Sequence, residues 1–246
     1  MRYLILSDLH ANWEALDAVI QDAGGSYDRA LCCGDLVGYG ADPDPVVEWV
    51  RRSCPVVVRG NHDRACTGQE DLEWFNPIAR VAALWTQQHF SPENSEYVRS
   101  LPQGPLIEEG LEVLHGSPLD EDEYVTAPTD AVPVFDYLES RLAFFGHTHL
   151  QGGFIWNQSR VETIGCAPSR KGRMNMEVDP SCAYLINPGS VGQPRDGDPR
   201  AAYALYDSGR RVVTFCRVRY NIAVAQKKIR EAGLPMVLAD RLSMGR

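Results

Sequence analysis

Five short motifs carry the side chains most able to hold a metal ion or move a proton. They are Asp8-Leu9-His10, Gly34-Asp35, Gly60-Asn61-His62-Asp63, His115-Gly116 and Gly146-His147-Thr148-His149. Carboxylate, imidazole and carboxamide groups make a mixed oxygen and nitrogen donor set that suits Mn2+, Fe2+ or Zn2+. Side chains two apart on an extended segment share a face. That spacing predicts that Asp8 and His10 approach one ion from the same side, and that His147 and His149 do likewise. The flanking glycines permit tight backbone turns close to an ion. Singly, each motif is more often a turn or an exposed polar pair than a site. Their joint occurrence is the signal: the chain has six histidines, and only His89 lies outside the five motifs. His89 falls on a predicted helix and is read as having no chemical role.

The elements that must position these residues follow from hydrophobic periodicity. Tyr3–Leu6 is a short apolar run suited to a buried strand, and residues 11–23 follow with Trp13, Leu16, Val19 and Ile20 at helical spacing before Gly24-Gly25. Strands at 29–33 and 55–59 bracket a helix at 45–52 with proline at its start. This β-α-β-α-β rhythm predicts parallel strands joined by crossover helices. In such a sheet the carboxyl ends of the strands face a common crevice, and the motifs stand at or just after those ends. Further helices are predicted at 77–89, 93–100 and 222–232. Further strands are predicted at 111–115, 142–145, 154–156, 160–164, 183–186, 202–206 and 212–219, with a hairpin turn at Asp207-Ser208-Gly209. Residues 63–76 resist assignment, and the acidic, proline-containing stretch 118–130 reads as a loop. Together these suggest an α/β fold, two packed sheets with helices outside, in one domain spanning residues 1–246.

The bulk composition narrows the classes. The chain has 246 residues, 44% of them hydrophobic, and a net charge of −9. A nucleic-acid binder usually presents a basic face, so strong general binding to DNA or RNA is not expected. Acidity is awkward for a phosphate substrate, but two bound dications would reverse the local field. The first apolar run ends within four residues, too short for a signal-peptide core or a bilayer span. The seven cysteines form no C-x-x-C pair. They read as reduced structural residues of a cytoplasmic protein.

The ordered set D-x-H, G-D, G-N-H-D, H-G and G-H-T-H resembles the calcineurin-like metallophosphoesterase superfamily. It looks closest to the small members often described as YfcE-like phosphodiesterases. The resemblance runs from Asp8 to His149 and extends through the Asn187–Arg195 stretch. It implies two mixed sheets packed face to face, with helices on both outer surfaces. It implies two divalent metal ions per chain: one held by Asp8, His10, Asp35 and His149, the other by Asp35, Asn61, His115 and His147, with Asp35 shared. Two dications roughly 3.5–4 Å apart need negative charge between them, and a hydroxide bridging them would attack phosphorus in line with the leaving oxygen. His62, outside the metal shell, would protonate the leaving alkoxide or bind phosphate. The substrate implied is a small phosphoester or nucleotide, with no membrane partner.

Two departures bear on substrate class. Phosphoprotein phosphatases and dinucleoside tetraphosphatases carry G-D-x-x-D-R-G as their second motif. Here Gly38 stands where an aspartate would orient the catalytic histidine, and Tyr39 where an arginine would clamp phosphate bidentately. A phosphodiesterase or broad-specificity phosphoesterase is therefore expected rather than a protein phosphatase. Asp63 adjoins His62, but neighbouring side chains often diverge, so no orienting role is assigned to it. Arg195 is a candidate substrate-binding cation, although a loop arginine is usually just solvated. Asn187-Pro188-Gly189-Ser190 reads as turn-shaping, and Trp74, Phe75 and Trp85 as packing residues rather than walls of a nucleotide pocket. The competing class is a non-catalytic scaffold of the kind found in the retromer complex, where the catalytic histidine is lost. A cyclic-nucleotide phosphodiesterase or a nucleotide phosphatase stays within the same chemistry.

Overall fold

The structure is a computed structural model that describes residues 1–166 and 172–246. The parallel start predicted from the sequence is present. β1 (Arg2–Leu6), β2 (Arg29–Cys32) and β3 (Val56–Val57) pair in parallel, with α1 (Trp13–Ala23) and α2 (Pro43–Ser53) as crossovers. Next come α3 (Asn61–Cys66), α4 (Pro77–His89) and α5 (Pro92–Arg99). The second sheet begins with β4 (Leu106–Glu108) and β5 (Leu111–Val113), followed by α6 (Pro128–Tyr137) and β6 (Leu142–Phe144). Six strands follow: β7 (Gly152–Trp156), β8 (Val161–Gly165), β9 (Arg173–Glu177), β10 (Ala183–Asn187), β11 (Ala201–Asp207) and β12 (Val212–Val218). The chain closes with α7 (Ile222–Glu231) and α8 (Met236–Leu242).

The strands form two mixed six-stranded sheets, ordered β3-β2-β1-β11-β12-β9 and β4-β5-β6-β10-β7-β8. Period-two alternation sorts each strand's residues between layers. Tyr3 and Ile5 of β1 point between the sheets and join Val113, Phe144 and Ile186 in one apolar cluster. Leu4 and Leu6 point the other way, into the cluster formed with α1 and α2. On the far side Ala143, Phe145 and Leu185 meet Ala131 and Val134 of α6. The layers are thus helix, sheet, sheet, helix, as the resemblance implied. Each large side chain fully buried in these layers contributes roughly 1.5–3 kcal/mol.

Several elements differ from the sequence reading, which had no strand at β4. Residues 61–66 are a short helix rather than a turn tip, although Asn, His and Asp are weak helix formers. The acidic loop ends earlier than expected, because α6 starts at Pro128, a proline in the first turn. β9, reading Arg-Met-Asn-Met-Glu, is an edge strand that the sequence reading did not include, although its alternation turns Met174 and Met176 toward the core. α8 was not anticipated; it packs Leu238, Ala239 and Leu242 against α7. All seven cysteines are free thiols, in accord with a structural role. Among the described residues no helix is long and apolar enough to cross a membrane.

Candidate metal centre

Each motif follows the C-terminal end of a strand: Asp8–His10 after β1, Asp35 after β2, Asn61 after β3, His115 after β5 and His147–His149 after β6. β1, β2 and β3 run parallel, as do β5, β6 and β10, so these ends gather at one edge of the sandwich. The loops are stitched to one another by backbone bonds. Asp8 N–H donates to Gly34 O at 3.0 Å, His10 N–H to Asp35 O at 3.0 Å and Gly146 N–H to His115 O at 2.8 Å. The segment after β10 completes the frame. Ser190 Oγ donates to Asp8 O at 2.8 Å, and Asn187 Nδ2 to Gly146 O at 2.8 Å. Those residues shape the loops, as their sequence suggested.

The backbone at the site is not extended, which corrects the face-sharing argument. Asp8, His10, Asp35, His147 and His149 have φ of 53°, 46°, 55°, 65° and 61°, in the left-handed region that non-glycine residues seldom adopt. The turns send His147 and His149 apart, whereas Asp8 and His10 still converge. Asp8, His10, Asp35 and His149 form one buried group of potential metal-ligating atoms, and Asp35, His115 and His147 form a second. His147 and His149 therefore fall in different groups, and Asp35 belongs to both. Its Oδ2 lies 3.6 Å from His10 Nε2 and 3.5 Å from His115 Nε2. Asn61 Oδ1 stands 3.1 Å from His147 Nδ1 and 3.4 Å from His115 Nε2, beside the second group.

The donor atoms fit a cation on three counts. Carbonyl oxygens fix the tautomers: Nδ1 of His10 donates to Val37 O at 3.2 Å and Nδ1 of His149 to Gln193 O at 2.6 Å. Each Nε2 then carries its lone pair inward, and the two Nε2 atoms face each other at 3.1 Å. Lone pairs at that range repel unless a positive charge lies among them. Ligand bonds of about 2.1 Å at right angles would set neighbouring donors about 3 Å apart. Finally, Asp8 Oδ2, Asp35 Oδ2 and His147 Nε2 are buried without a hydrogen-bond partner. Such atoms are costly unless something else satisfies them.

Electrostatics carry the same message. Burial holds His10 and His149 well below the usual imidazole range, and pushes His147 down to about 3. Burial also pushes Asp8 up to about 7. His115 goes the other way: burial opposes its charge, but the Asp35 carboxylate overrides it and drives it up to about 10. Burial likewise opposes charge on Asp35, and the His115 charge above all holds it well below the carboxylate range. Metal binding to such groups displaces their protons.

Asp63 plays a part that the sequence reading missed. Its carboxylate accepts N–H bonds from Asp35 at 2.9 Å, Leu36 at 2.9 Å, Val37 at 3.3 Å and Gly60 at 3.0 Å. One side chain thus ties the loop after β2 to the start of α3 and aims Asp35 into the site. In return, Asp35 Oδ1 accepts the N–H of His62 at 2.9 Å. Burial and the nearby Asp35 push Asp63 up to about 7, against the pull of the four donors. Gly60 leaves room for this closeness, since a Cβ there would collide with the Asp35 carboxylate and the His115 ring.

His62 lies beside the cluster rather than in either group. Its ring makes no hydrogen bond to the described residues and its Nδ1 is buried without a partner. It is held by ring contacts, 4.3 Å from Tyr39, 5.0 Å from His10 and 5.7 Å from Phe75. Burial pushes it down to about 4. A Cβ on Gly38 would approach His62 Nδ1 to 2.8 Å, so the imidazole occupies the space an orienting carboxylate would need. Arg195 is half-buried, its guanidinium 5.8 Å over the Tyr39 ring and 3.1 Å from Gln193 Oε1. Tyr124 packs 4.0 Å from His147, on a loop tied by Glu121 to Arg59 and Arg64. Nothing in its acidic sequence signalled that position. His89 stacks on Trp85 far along α4, while the Trp74 side chain lies outside the described residues.

This geometry agrees with what comparison with known proteins finds. The calcineurin-like phosphoesterase superfamily domain matches residues 1–210, and the chain belongs to that superfamily. It is a metal-dependent phosphoester hydrolase with a buried His/Asp cluster for divalent metal. An uncharacterized protein of Methanocaldococcus jannaschii is 38% identical over 98% of this chain and 97% of its own length. A metallophosphoesterase from Sphaerobacter thermophilus superposes with a TM-score of 0.86 at 42% identity, covering 100% of this chain and 99% of that one. A hypothetical protein from Pyrococcus horikoshii shares the fold at a TM-score of 0.78 and 18% identity, over 100% of this chain and 98% of its own.

Asp63 offers a test of the frame. Asp63→Asn turns one accepting oxygen into a donor facing N–H groups. The variant should unfold with about 1–3 kcal/mol less stability and bind Mn2+ more weakly, read by denaturant titration and calorimetry. Unchanged metal affinity would remove Asp63 from the account of the site.

Proposed function

We propose that the chain is a dinuclear metal-dependent phosphodiesterase, with Asp8, His10, Asp35 and His149 around one ion and Asp35, Asn61, His115 and His147 around the other. The observation that carries this reading is the unpartnered Asp35 Oδ2, set between the two groups at 3.6 Å and 3.5 Å from their histidines. Mn2+, Fe2+ and Zn2+ all suit such donors. Two dications held there would acidify a water for attack on phosphorus and offset the charge that builds on the phosphate oxygens.

The chain's own residues supply the rest. Val37 O, Gln193 O and Cys33 O orient three histidines by accepting from their Nδ1 atoms, which keeps each Nε2 directed inward. His62 is free of other bonds and lies against His10, which suits a group that gives a proton to the leaving oxygen. Burial keeps it neutral until a phosphate's negative charge arrives and stabilises the imidazolium. Arg195, reaching over Tyr39, supplies the cation that Tyr39 lacks. The Gly38 and Tyr39 pair still favours small diesters over phosphoproteins. With Mn2+, kcat/KM on bis-p-nitrophenyl phosphate should exceed that on a phosphoserine peptide; comparable values would contradict the diesterase reading.

The role of His62 is separable from metal binding. General acid catalysis contributes roughly 10²–10⁴-fold, and a nitrophenolate leaves readily without a proton. At fixed metal occupancy, His62→Ala should lose far more activity on a nucleoside diester than on a nitrophenyl ester. An equal loss on both substrates would mean that His62 mainly binds phosphate, and loss of metal would place it in the coordination shell.

A further inference from the structure

A cavity of about 540 Å³ opens beside the metal cluster. Ligand sites for nucleotide-sized molecules are of this order, roughly 300–1,000 Å³. Two of its walls are the rings that touch the metal-ligating histidines. Tyr39 lies 4.7 Å from His10, and Tyr124 lies 4.0 Å from His147. A molecule reacting at the cluster would extend into it.

The charge of this cavity is unlike that of the chain. The net charge is −9, yet Arg195 and Arg241 line the cavity and no carboxylate side chain is among its lining residues. Several described arginines are held in ion pairs; Arg59 and Arg64 hold Glu121, and Arg217 holds Asp196. The Arg241 side chain has no ion pair or hydrogen bond among the described residues. It is carried on a fixed element. Leu238, Ala239 and Leu242 of α8 bury against Ala225 and Ile229 of α7 in the cluster that also contains Tyr39. Gly197 N–H, two residues after Arg195, donates to Gly245 O at 3.0 Å and ties the segment after α8 to the Arg195 loop.

We propose that Arg241, together with Arg195, forms a second anion subsite that holds a phosphate monoester group borne by the substrate itself, away from the scissile ester. The preferred substrate class is then a diester that already carries a terminal phosphate, such as a 5′-phosphorylated dinucleotide. A guanidinium meets phosphate through paired N–H bonds, which give the contact strength and direction. This rests on the phosphoesterase reading for the scissile site, but the two are tested apart.

The probes are phosphorothioate-linked pApA and ApA, which differ only in the terminal phosphate. Calorimetry on the Mn2+-loaded protein should show pApA binding about tenfold more tightly than ApA. Arg241→Ala should abolish that preference while leaving ApA affinity and bis-p-nitrophenyl phosphate turnover unchanged, and Arg241→Lys should keep part of it. Unchanged ApA binding also reports that α8 remains folded. Equal affinities in the wild type, or a preference that survives Arg241→Ala, would overturn the subsite. Absence of bis-p-nitrophenyl phosphate turnover in the wild type would instead defeat the phosphoesterase reading, while the two affinities would still decide the subsite.

Discussion

The structure depends on keeping a set of electron-rich atoms close together and buried. Asp8, Asp35, His10, His115, His147 and His149 are all buried, and their free lone pairs converge. Left alone, such a cluster would spread apart or take up protons. The protein resists this with backbone rather than with opposite charge. Five of the site residues take left-handed turns, each costing of order 1–3 kcal/mol. Hydrogen bonds from one loop to the next hold those turns, and the Asp63 carboxylate gathers four N–H groups from two of them. The frame is therefore paid for by the sandwich beneath it, where strand ends are fixed by two apolar layers.

Chemistry follows from what the frame leaves unsatisfied. Carbonyl oxygens occupy the outer nitrogens of three histidines and leave the inner ones for a cation. Asp35 gives one oxygen to the His62 N–H and keeps the other for the point between the two groups. His62 receives no hydrogen bond at its ring from the described residues and is fixed in place by Tyr39, His10 and Phe75. The ring of Tyr39 has three neighbours: the histidines on one side, Arg195 on another, and the α7–α8 pair behind. It therefore couples the position of the C-terminal helices to the edge of the metal centre.

The parts legible in the sequence were those set by residue type and order. Asp8, Asp35, Asn61 and the histidines stood after apolar runs that could only be strands, and parallel strands bring their ends together. The conformation at those residues was not legible, because a left-handed Asp or His is selected by surrounding loops rather than by its own preference. The reading of Asp8 and His10 as an extended pair failed for that reason. Asp63 was passed over because adjacency to His62 says nothing about backbone partners 28 residues away. Tyr124 and α8 are positioned by tertiary contacts, Glu121 with Arg59 and Arg64 in one case and Leu238 and Leu242 in the other. β9 was overlooked although Met174 and Met176 alternate with polar residues, and short motifs flanked by Gly hid α3.

The most direct measurement is anomalous diffraction from crystals of the Mn2+-loaded protein, compared with Asp35→Asn crystals grown the same way. The account predicts two anomalous peaks per chain on either side of Asp35 Oδ2, one against Asp8, His10 and His149, the other against Asn61, His115 and His147, with both weakened in Asp35→Asn. A single peak, or two that do not share Asp35, would contradict it.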